Sequence, residues 1–455
     1  MRFTSRYTFA KLISATGICP CANTDNGNKR AVFALAITPS FVIPFLGWVP
    51  VSCMKSWRMD YIGLEFGSLY FILHYKDSNN NIQSLPFGSS DSLFAAYSYD
   101  TVNGFSYGKD TIRSIFIDPL SVFTNFALLY PRLFDQRELS SLEFESPKPL
   151  KRVGNSYCYE NPASSRGYTT ISEAITVMLR QILACYHNVC NGVKRRVGAV
   201  ITVPDYYFCA KRKVKEEIIE LGKDAGFREV VLIPERDAIM KVNEISFKRT
   251  NYVILCCGEA YNSYTVLKGK TKVKSCSTSA KTGRSLVYAV TQLVCDCLPE
   301  WVYDYYEKRD PVECDLFQKQ VLFCTRVALV EIMGTQQPLS VHLVAGREFN
   351  VEISKKDMQP VIDKYIQTLL NHAHSQIEGT LPSDDYSIFV CGDFAPLTHM
   401  KESVCREFGV NEDRVVIMAP SSFAEGALLS TDRLSQEVHY REEINPLVMR
   451  SLYPD

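Results

Sequence analysis

The chain has 455 residues, 46% of them apolar and 22% charged, with 50 basic side chains balanced by 50 acidic ones. These are ordinary globular proportions at a length of about two to three domain-sized lobes. A net charge of zero removes the electrostatic case for nucleic acid or an anionic membrane surface as partner. The 16 cysteines include no Cys-x-x-Cys pair and do not make the framework of a small disulfide-rich domain. Cys256, Cys257, Cys324 and Cys391 sit in apolar strand contexts, where reduced thiols behave as small hydrophobes. No Asn-x-Ser/Thr sequon occurs, so the expected location is cytoplasmic.

Residues 1–59 read as a divergent N-terminal extension. Within it, Ala31–Cys53 carries no charge and is flanked by Lys29, Arg30, Lys55 and Arg58, long enough to span a bilayer. Pro39, Pro44 and Pro50 interrupt it, each costing a helix interior about 3 kcal/mol. A membrane anchor, a loose extension and a mispredicted first exon are the alternatives. The segment lies too far from the N-terminus for a typical signal peptide.

From Tyr61 the pattern changes. Tyr61–Phe66 and Tyr70–Lys76 are apolar runs around Gly67 and Ser68, which predicts a β-hairpin. Ser78–Ser98 is polar, with Asn79, Asn80 and Asn81 in a row, and reads as a turn or loop. Ser140–Tyr168, rich in Ser, Pro and Gly, reads as a surface excursion. Ser172–Cys190 is predicted helical, with Ile175, Met178, Leu179, Ile182, Leu183 and Tyr186 on one face. Val197–Val203, a continuous apolar run closed by Pro204, is a predicted buried strand. Lys211–Ala225 follows as an amphipathic helix whose Lys211 to Lys215 cluster reads as a solvated face, and Glu229–Ile233 as a short strand.

Asn251–Cys257 and Ser263–Lys268 repeat the hairpin around Gly258. Two halves of similar size, 60–245 and 246–432, thus open alike, which suggests an internal duplication. The second half continues with a helix over Lys356–Ile377, its buried stripe formed by Val361, Ile362, Tyr365, Ile366, Leu369, Leu370 and Ala373. Then come a strand at Ser387–Cys391, a helix at Thr398–Phe408, a strand at Arg414–Met418 and a helix near Phe423–Ser430. This order implies a parallel or mixed sheet covered on both faces. Two such lobes facing each other leave a cleft of the kind ligands favour. Residues 433–455 form a charged, then weakly apolar, tail.

No Gly-x-x-x-x-Gly-Lys-Ser/Thr loop is present, since Gly269-Lys270-Thr271 lacks the earlier glycine. Neither Gly-x-Gly-x-x-Gly nor Gly-x-Ser-x-Gly occurs. His372 and His374, two apart on a helix, do not share a face, and Cys295 and Cys297 read as residues at a helix end. No metal site is expected from them.

The run Ala199-Val200-Ile201-Thr202-Val203-Pro204-Asp205-Tyr206 resembles a strand and turn of the heat-shock seventy-kilodalton family, the DnaK-type chaperones. Ala225-Gly226-Phe227 with Leu232-Ile233-Pro234-Glu235, the two hairpins, Val390-Cys391-Gly392 and Pro420–Gly426 continue in the same order, covering Asp60 to Thr431. The resemblance implies a duplicated actin-like (ribonuclease H-like) two-lobed α/β ATPase fold with a central cleft. Only residues 433–455 follow, so no peptide-binding domain is expected.

The same resemblance implies a damaged ATP site. Phosphoryl transfer needs a metal-held phosphate, donors around it and a positioned water. The family's first hairpin reads Gly-Ile-Asp-Leu-Gly-Thr-Thr; here it is Gly63-Leu64-Glu65-Phe66-Gly67-Ser68-Leu69. Its second reads Asp-Leu-Gly-Gly-Gly-Thr; here it is Cys256-Cys257-Gly258-Glu259-Ala260-Tyr261. A thiol replaces a metal-organising carboxylate and is a poor partner for Mg²⁺. Glu259 adds negative charge where phosphates would sit. The family's catalytic Lys falls near Phe126. Its base-pocket helix corresponds to Cys324-Thr325-Arg326-Val327-Ala328, and its adenine-stacking turn to Gly392-Asp393-Phe394-Ala395-Pro396, without the Arg. Gly63, Gly67, Ser68, Gly258 and Gly392 remain as cofactor-binding candidates, although such glycines also shape tight turns. Each lost charged contact costs about 1.5–3 kcal/mol, so two weaken ATP binding by roughly 10²–10⁴-fold.

Two functions compete. One is a non-catalytic scaffold or co-chaperone, a pseudo-ATPase partnering other chaperones or ribosome-associated factors; Asp315–Ser354 looks most like such atypical members. The other is a slow ATPase with ATP or ADP and Mg in a rebuilt site, with Glu65 and Glu235 as the catalytic or metal-holding carboxylates and Glu259 in support. A cleft filled by Phe126, Tyr261 and Phe394 would count against it.

Overall fold

A computed structural model describes residues 59–67, 70–87, 92–100, 104–124, 126, 146–154, 156–190, 196–204, 212–243, 251–269, 271–335, 337–381 and 386–431. The segment Ala31–Cys53, Ser68 and the tail 433–455 lie outside these residues.

Strands β1 (Asp60–Phe66) and β2 (Tyr70–Lys76) pair antiparallel, Phe66 opposite Phe71. Their turn needs Gly67, where a Cβ would fall 2.4 Å from the Tyr70 carbonyl oxygen. β3 (Ile82–Ser84) and β4 (Ser92–Phe94) both pair with β2. The stretch 78–98, expected to be a loop, therefore supplies strands. Its asparagines make a turn around Asp77, whose Oδ1 accepts from the Asn79 and Asn81 amides at 2.8 and 2.9 Å. Leu85, Leu93 and Phe94 are buried; the average polarity of the segment masked them.

β5 (Ala96–Asp100), β6 (Gly104–Tyr107) and β7 (Val122–Thr124) form a small antiparallel sheet with helix α1 (Thr111–Ile117) beside it. β8 (Leu150–Val153), β9 (Ser156–Glu160) and β10 (Tyr168–Thr170) form another. Within the expected surface excursion at 140–168, the described residues from 146 supply strands and stay largely at the surface, with Arg152, Pro162 and Arg166 exposed. Tyr159 is fully buried, and its hydroxyl donates to the Thr124 carbonyl at 2.5 Å.

Helix α2 (Ile171–Val189) starts at a capping box between Thr170 and Glu173 and buries its apolar stripe. β11 (Val197–Val203), α3 (Arg212–Ala225), β12 (Glu229–Pro234) and α4 (Glu235–Val242) complete this half. The sheet order is β12-β11-β1-β2-β3, with β12, β11 and β1 parallel. β11 is buried at every position, as a central parallel strand must be.

The next half has β13 (Asn251–Cys257), β14 (Asn262–Lys268), β15 (Thr271–Thr278), α5 (Gly283–Asp296), α6 (Glu300–Glu307) and α7 (Pro311–Ile332). It continues with a β16 (Leu339–Val344) and β17 (Glu348–Ile353) hairpin, α8 (Lys355–Ile377), β18 (Tyr386–Cys391), α9 (Met400–Phe408), β19 (Val415–Ile417) and α10 (Ser422–Leu429). α9 starts later than Thr398 because His399 before it is left-handed, with φ +65°. The sheet order is β19-β18-β13-β14-β15, again three parallel strands followed by two that each reverse.

Helix α10 closes the chain onto the first sheet. A Cβ on Gly63 would lie 2.1 Å from the Ala424 carbonyl oxygen, and one on Gly426 2.1 Å from that of Ala238 in α4. Only glycine permits such backbone contact. Among the described residues no helix is long and apolar enough to cross a membrane.

This packing sets a stability test. Gly426→Ala is expected to destabilise by about 1–3 kcal/mol or more through overpacking. Gly379→Ala, whose Cβ meets nothing within 4 Å, should leave the urea midpoint close to wild type. Equal midpoints for the two variants would contradict the close approach.

Candidate functional site

The carboxyl end of β1, the first turn of α4, the β13–β14 turn, the residues after β18 and the start of α10 meet around one recess. Its lining is Glu65, Phe66, Gly67, Glu235, Cys256, Gly258, Ala260, Tyr261, Gly392, Asp393 and Phe423. Ligands of α/β sheets bind in this position, outside the carboxyl ends of parallel strands. The cavity measures about 30 Å³, room on the order of one or two waters, so a nucleotide would require the walls to separate.

Three carboxyl groups face the recess. Glu65, near the end of β1, is buried, and its Oε2 has no hydrogen-bond partner. Burial pushes its carboxyl well above the usual range, and Asp393, Glu235 and Cys256 push it the same way. Asp393, half-buried, is pushed up to about 7, first by desolvation and then by Glu259, with Arg326 opposing. Glu235 follows Pro234 as the first residue of α4 and accepts a hydrogen bond from the Tyr261 hydroxyl at 2.5 Å. Among the described residues no Lys or Arg belongs to the lining.

The structure therefore brings Glu65, Gly67, Glu235, Gly258 and Gly392 together. Gly258 is required by its own turn, since a Cβ would lie 2.6 Å from the Tyr261 carbonyl oxygen. Gly392 has φ +94°, and a Cβ there would lie 2.7 Å from the Cys257 carbonyl oxygen. Gly63 is a correction: it does not line the recess, because it is spent on contact with α10. Ser68 falls outside the described residues.

Glu259 needs a larger correction. It is not a loose negative charge at the phosphate position. It is buried and paired with Arg326, whose Nη2 lies 2.5 Å from Glu259 Oε2 and whose Nε meets Oε1. The pair faces a second recess between α5 and α7, beside Arg284, Tyr288 and Phe323. Phe126 and Phe394 do not line the recess. Phe126 is buried against Tyr97 and Tyr159, and Phe394 is buried against Gly283 and Tyr365. Of the three aromatics whose filling of the cleft would count against a rebuilt ATPase site, only Tyr261 lines the recess.

Asp393 and Arg326 escaped attention as charged partners, although both stand in the segments matched to the nucleotide pocket. Charge alone was the available signal; their partners come from distant strands. Among the described residues no group of three or more His, Cys, Asp or Glu side chains is placed to hold a metal ion. Glu65 and Asp393 would first have to release protons to act as ligands.

No protein-family model matches the chain, and no curated protein matches it either.

Two predictions follow from the charges. Arg326→Ala leaves Glu259 buried and uncompensated and is expected to cost about 3–5 kcal/mol. The double change Glu259→Gln with Arg326→Met should cost much less; a chemical-denaturation series that ranks them the other way would remove the pair's structural role. Asp393 keeps its proton to about pH 7 when folded but only to about pH 4 when unfolded. The folded state thus binds the extra proton between these values, so stability falls as pH rises from about 4 to about 7 and then levels. Buried Glu65 acts in the same direction. Asp393→Asn should flatten the fall in urea midpoint over that window, and an unchanged slope would reject the assignment.

Proposed function

We propose that this chain is a degenerate, heat-shock-70-like member of the actin-like ATPase fold, a scaffold or co-chaperone rather than an ATPase. One observation carries this proposal. The recess at the carboxyl ends of the central strands presents Glu65, Glu235 and Asp393, with no lysine or arginine among the described residues of its lining. Phosphoryl transfer needs cations and donors gathered around the phosphates. Burial holds Glu65 and Asp393 toward their protonated forms, so they bring no positive charge to a phosphate and, once ionised, would repel it.

The matching strand order and sense of the two sheets supports the duplicated, two-lobed architecture. The resemblance of Asp315–Ser354 to atypical family members supports other chaperones or ribosome-associated factors as partners. A cytoplasmic setting fits the free thiols at Cys158, Cys256, Cys257, Cys324 and Cys391.

A second function keeps one observation in its favour. Glu65 Oε2 is buried at the recess without a hydrogen-bond partner, as a carboxylate waiting for a cation would be. In that case Glu65 and Glu235 would hold Mg²⁺ against the phosphates of ATP or ADP, and the ion would supply the missing positive charge.

Isothermal titration of the full chain with Mg·ATP and, separately, Mg·ADP separates the two. Neither heat nor a thermal shift is expected at millimolar nucleotide. Binding at micromolar dissociation constants would overturn the scaffold proposal in favour of the rebuilt site.

A further inference from the structure

Behind the carboxyl groups, at the wall of the recess and just beneath it, lies a pair of thiols that neither function above uses. Cys256 and Cys391 are register partners on the adjacent parallel strands β13 and β18, at the carboxyl ends of both. Their Sγ atoms are 3.2 Å apart. Neighbouring strands lie about 4.8 Å apart, inside the Cα spacing of about 4.4–6.8 Å that disulfides span. Closing the sulfurs to a bond of about 2.05 Å therefore takes about 1 Å of side-chain movement.

The two thiols differ in access. Cys256 lines the recess, while Cys391 does not. Cys391 is held protonated by burial and then by its hydrogen bond with Cys256. Either sulfur can donate to the other across this contact, and the Cys391 thiol also reaches the Leu255 carbonyl at 3.6 Å, while Cys256 alone of the two borders the cavity. That cavity, about 30 Å³, has room on the order of one or two waters. Hydrogen peroxide fits such a space; a tripeptide disulfide does not.

We propose that Cys256 and Cys391 form an oxidisable dithiol, which a small peroxide entering the recess converts to a disulfide between β13 and β18. Cys256 loses its proton and attacks one peroxide oxygen. The O–O bond breaks, and the leaving hydroxide takes a proton to become water, giving a sulfenic acid on Cys256. The Cys391 sulfur, releasing its own proton, then displaces the hydroxyl group from Cys256. An S–S bond forms, an S–O bond breaks, and a second water leaves. Two thiols and one peroxide give one disulfide and two waters; sulfur is oxidised and peroxide oxygen is reduced.

The bond would clamp the strand ends that carry Gly258 and Gly392. There the Phe394 amide already donates to the Cys257 carbonyl at 3.0 Å. Oxidation would fix these two turns of the recess covalently, whether or not nucleotide binds.

The test treats the native full chain with hydrogen peroxide, denatures it in an alkylating reagent, and maps every cysteine by mass. Cys256 and Cys391 are expected to lose alkylation together, in one linked peptide lighter by two hydrogens and restored by a reductant. Cys256→Ser should leave Cys391 alkylatable. Oxidised glutathione applied to the native chain should give much less of this cross-link than peroxide does. If both thiols stay alkylatable while exposed Cys297 is oxidised, or if either is linked to another cysteine, the proposal fails. Equal cross-linking by glutathione disulfide would overturn access through the cavity.

Discussion

The site exists because helix α10 touches strand β1 backbone to backbone. Gly63 and Gly426 have no Cβ, and the Ala424 and Ala238 carbonyl oxygens occupy the space one would need. A larger residue at either position would push the helix away, because a close-packed interior has nowhere to take up the volume. The contact ties a helix from the last described stretch of the chain to its first described strand and to α4. It thereby brings Glu65, two residues after Gly63, to the same recess as Glu235 from α4 and Phe423 from α10.

Charge is then sorted around the β13–β14 turn. Gly258, Ala260 and Tyr261 face the acidic recess, while Glu259 between them turns away to Arg326 on α7. An ion pair this deeply buried is a weak source of net stability but a strong constraint, since loss of either partner strands the other. It fixes the turn against α7, and the β18 loop follows through the bond from Phe394 to Cys257. Tyr261 in turn holds Glu235.

The floor of the recess is consequently rich in protons. Glu65, Asp393 and Cys391 are all shifted toward their protonated forms, chiefly by burial. A metal–phosphate site needs the opposite, anionic ligands answered by fixed positive charge. Cys256, standing where a metal-organising carboxylate is expected from the resemblance, lies beside these groups, and its 3.2 Å approach to Cys391 offers a redox chemistry that a carboxylate lacks.

Local sequence determined much of the framework. The continuous apolar runs at 197–203 and 251–257 specify buried central strands. The glycines at 67 and 258 specify tight turns, and the periodic stripes over α2 and α8 specify helices, because each depends on neighbours a few residues away. Where a segment owed its state to distant partners, composition misled. Polar 78–98 supplied β3 and β4 to the edge of β2, and within 146–168 Tyr159 turned inward from strands otherwise near the surface. The site divided in the same way. Glu65, Glu235 and the turn glycines were legible from their places in the hairpins. The pairing of Glu259 with Arg326, the burial of Phe126 and Phe394, the role of Gly63 under α10 and the meeting of Cys256 with Cys391 were decided by tertiary structure. In each of these the partner lies many residues away, and only packing sets which atoms share a low-dielectric space.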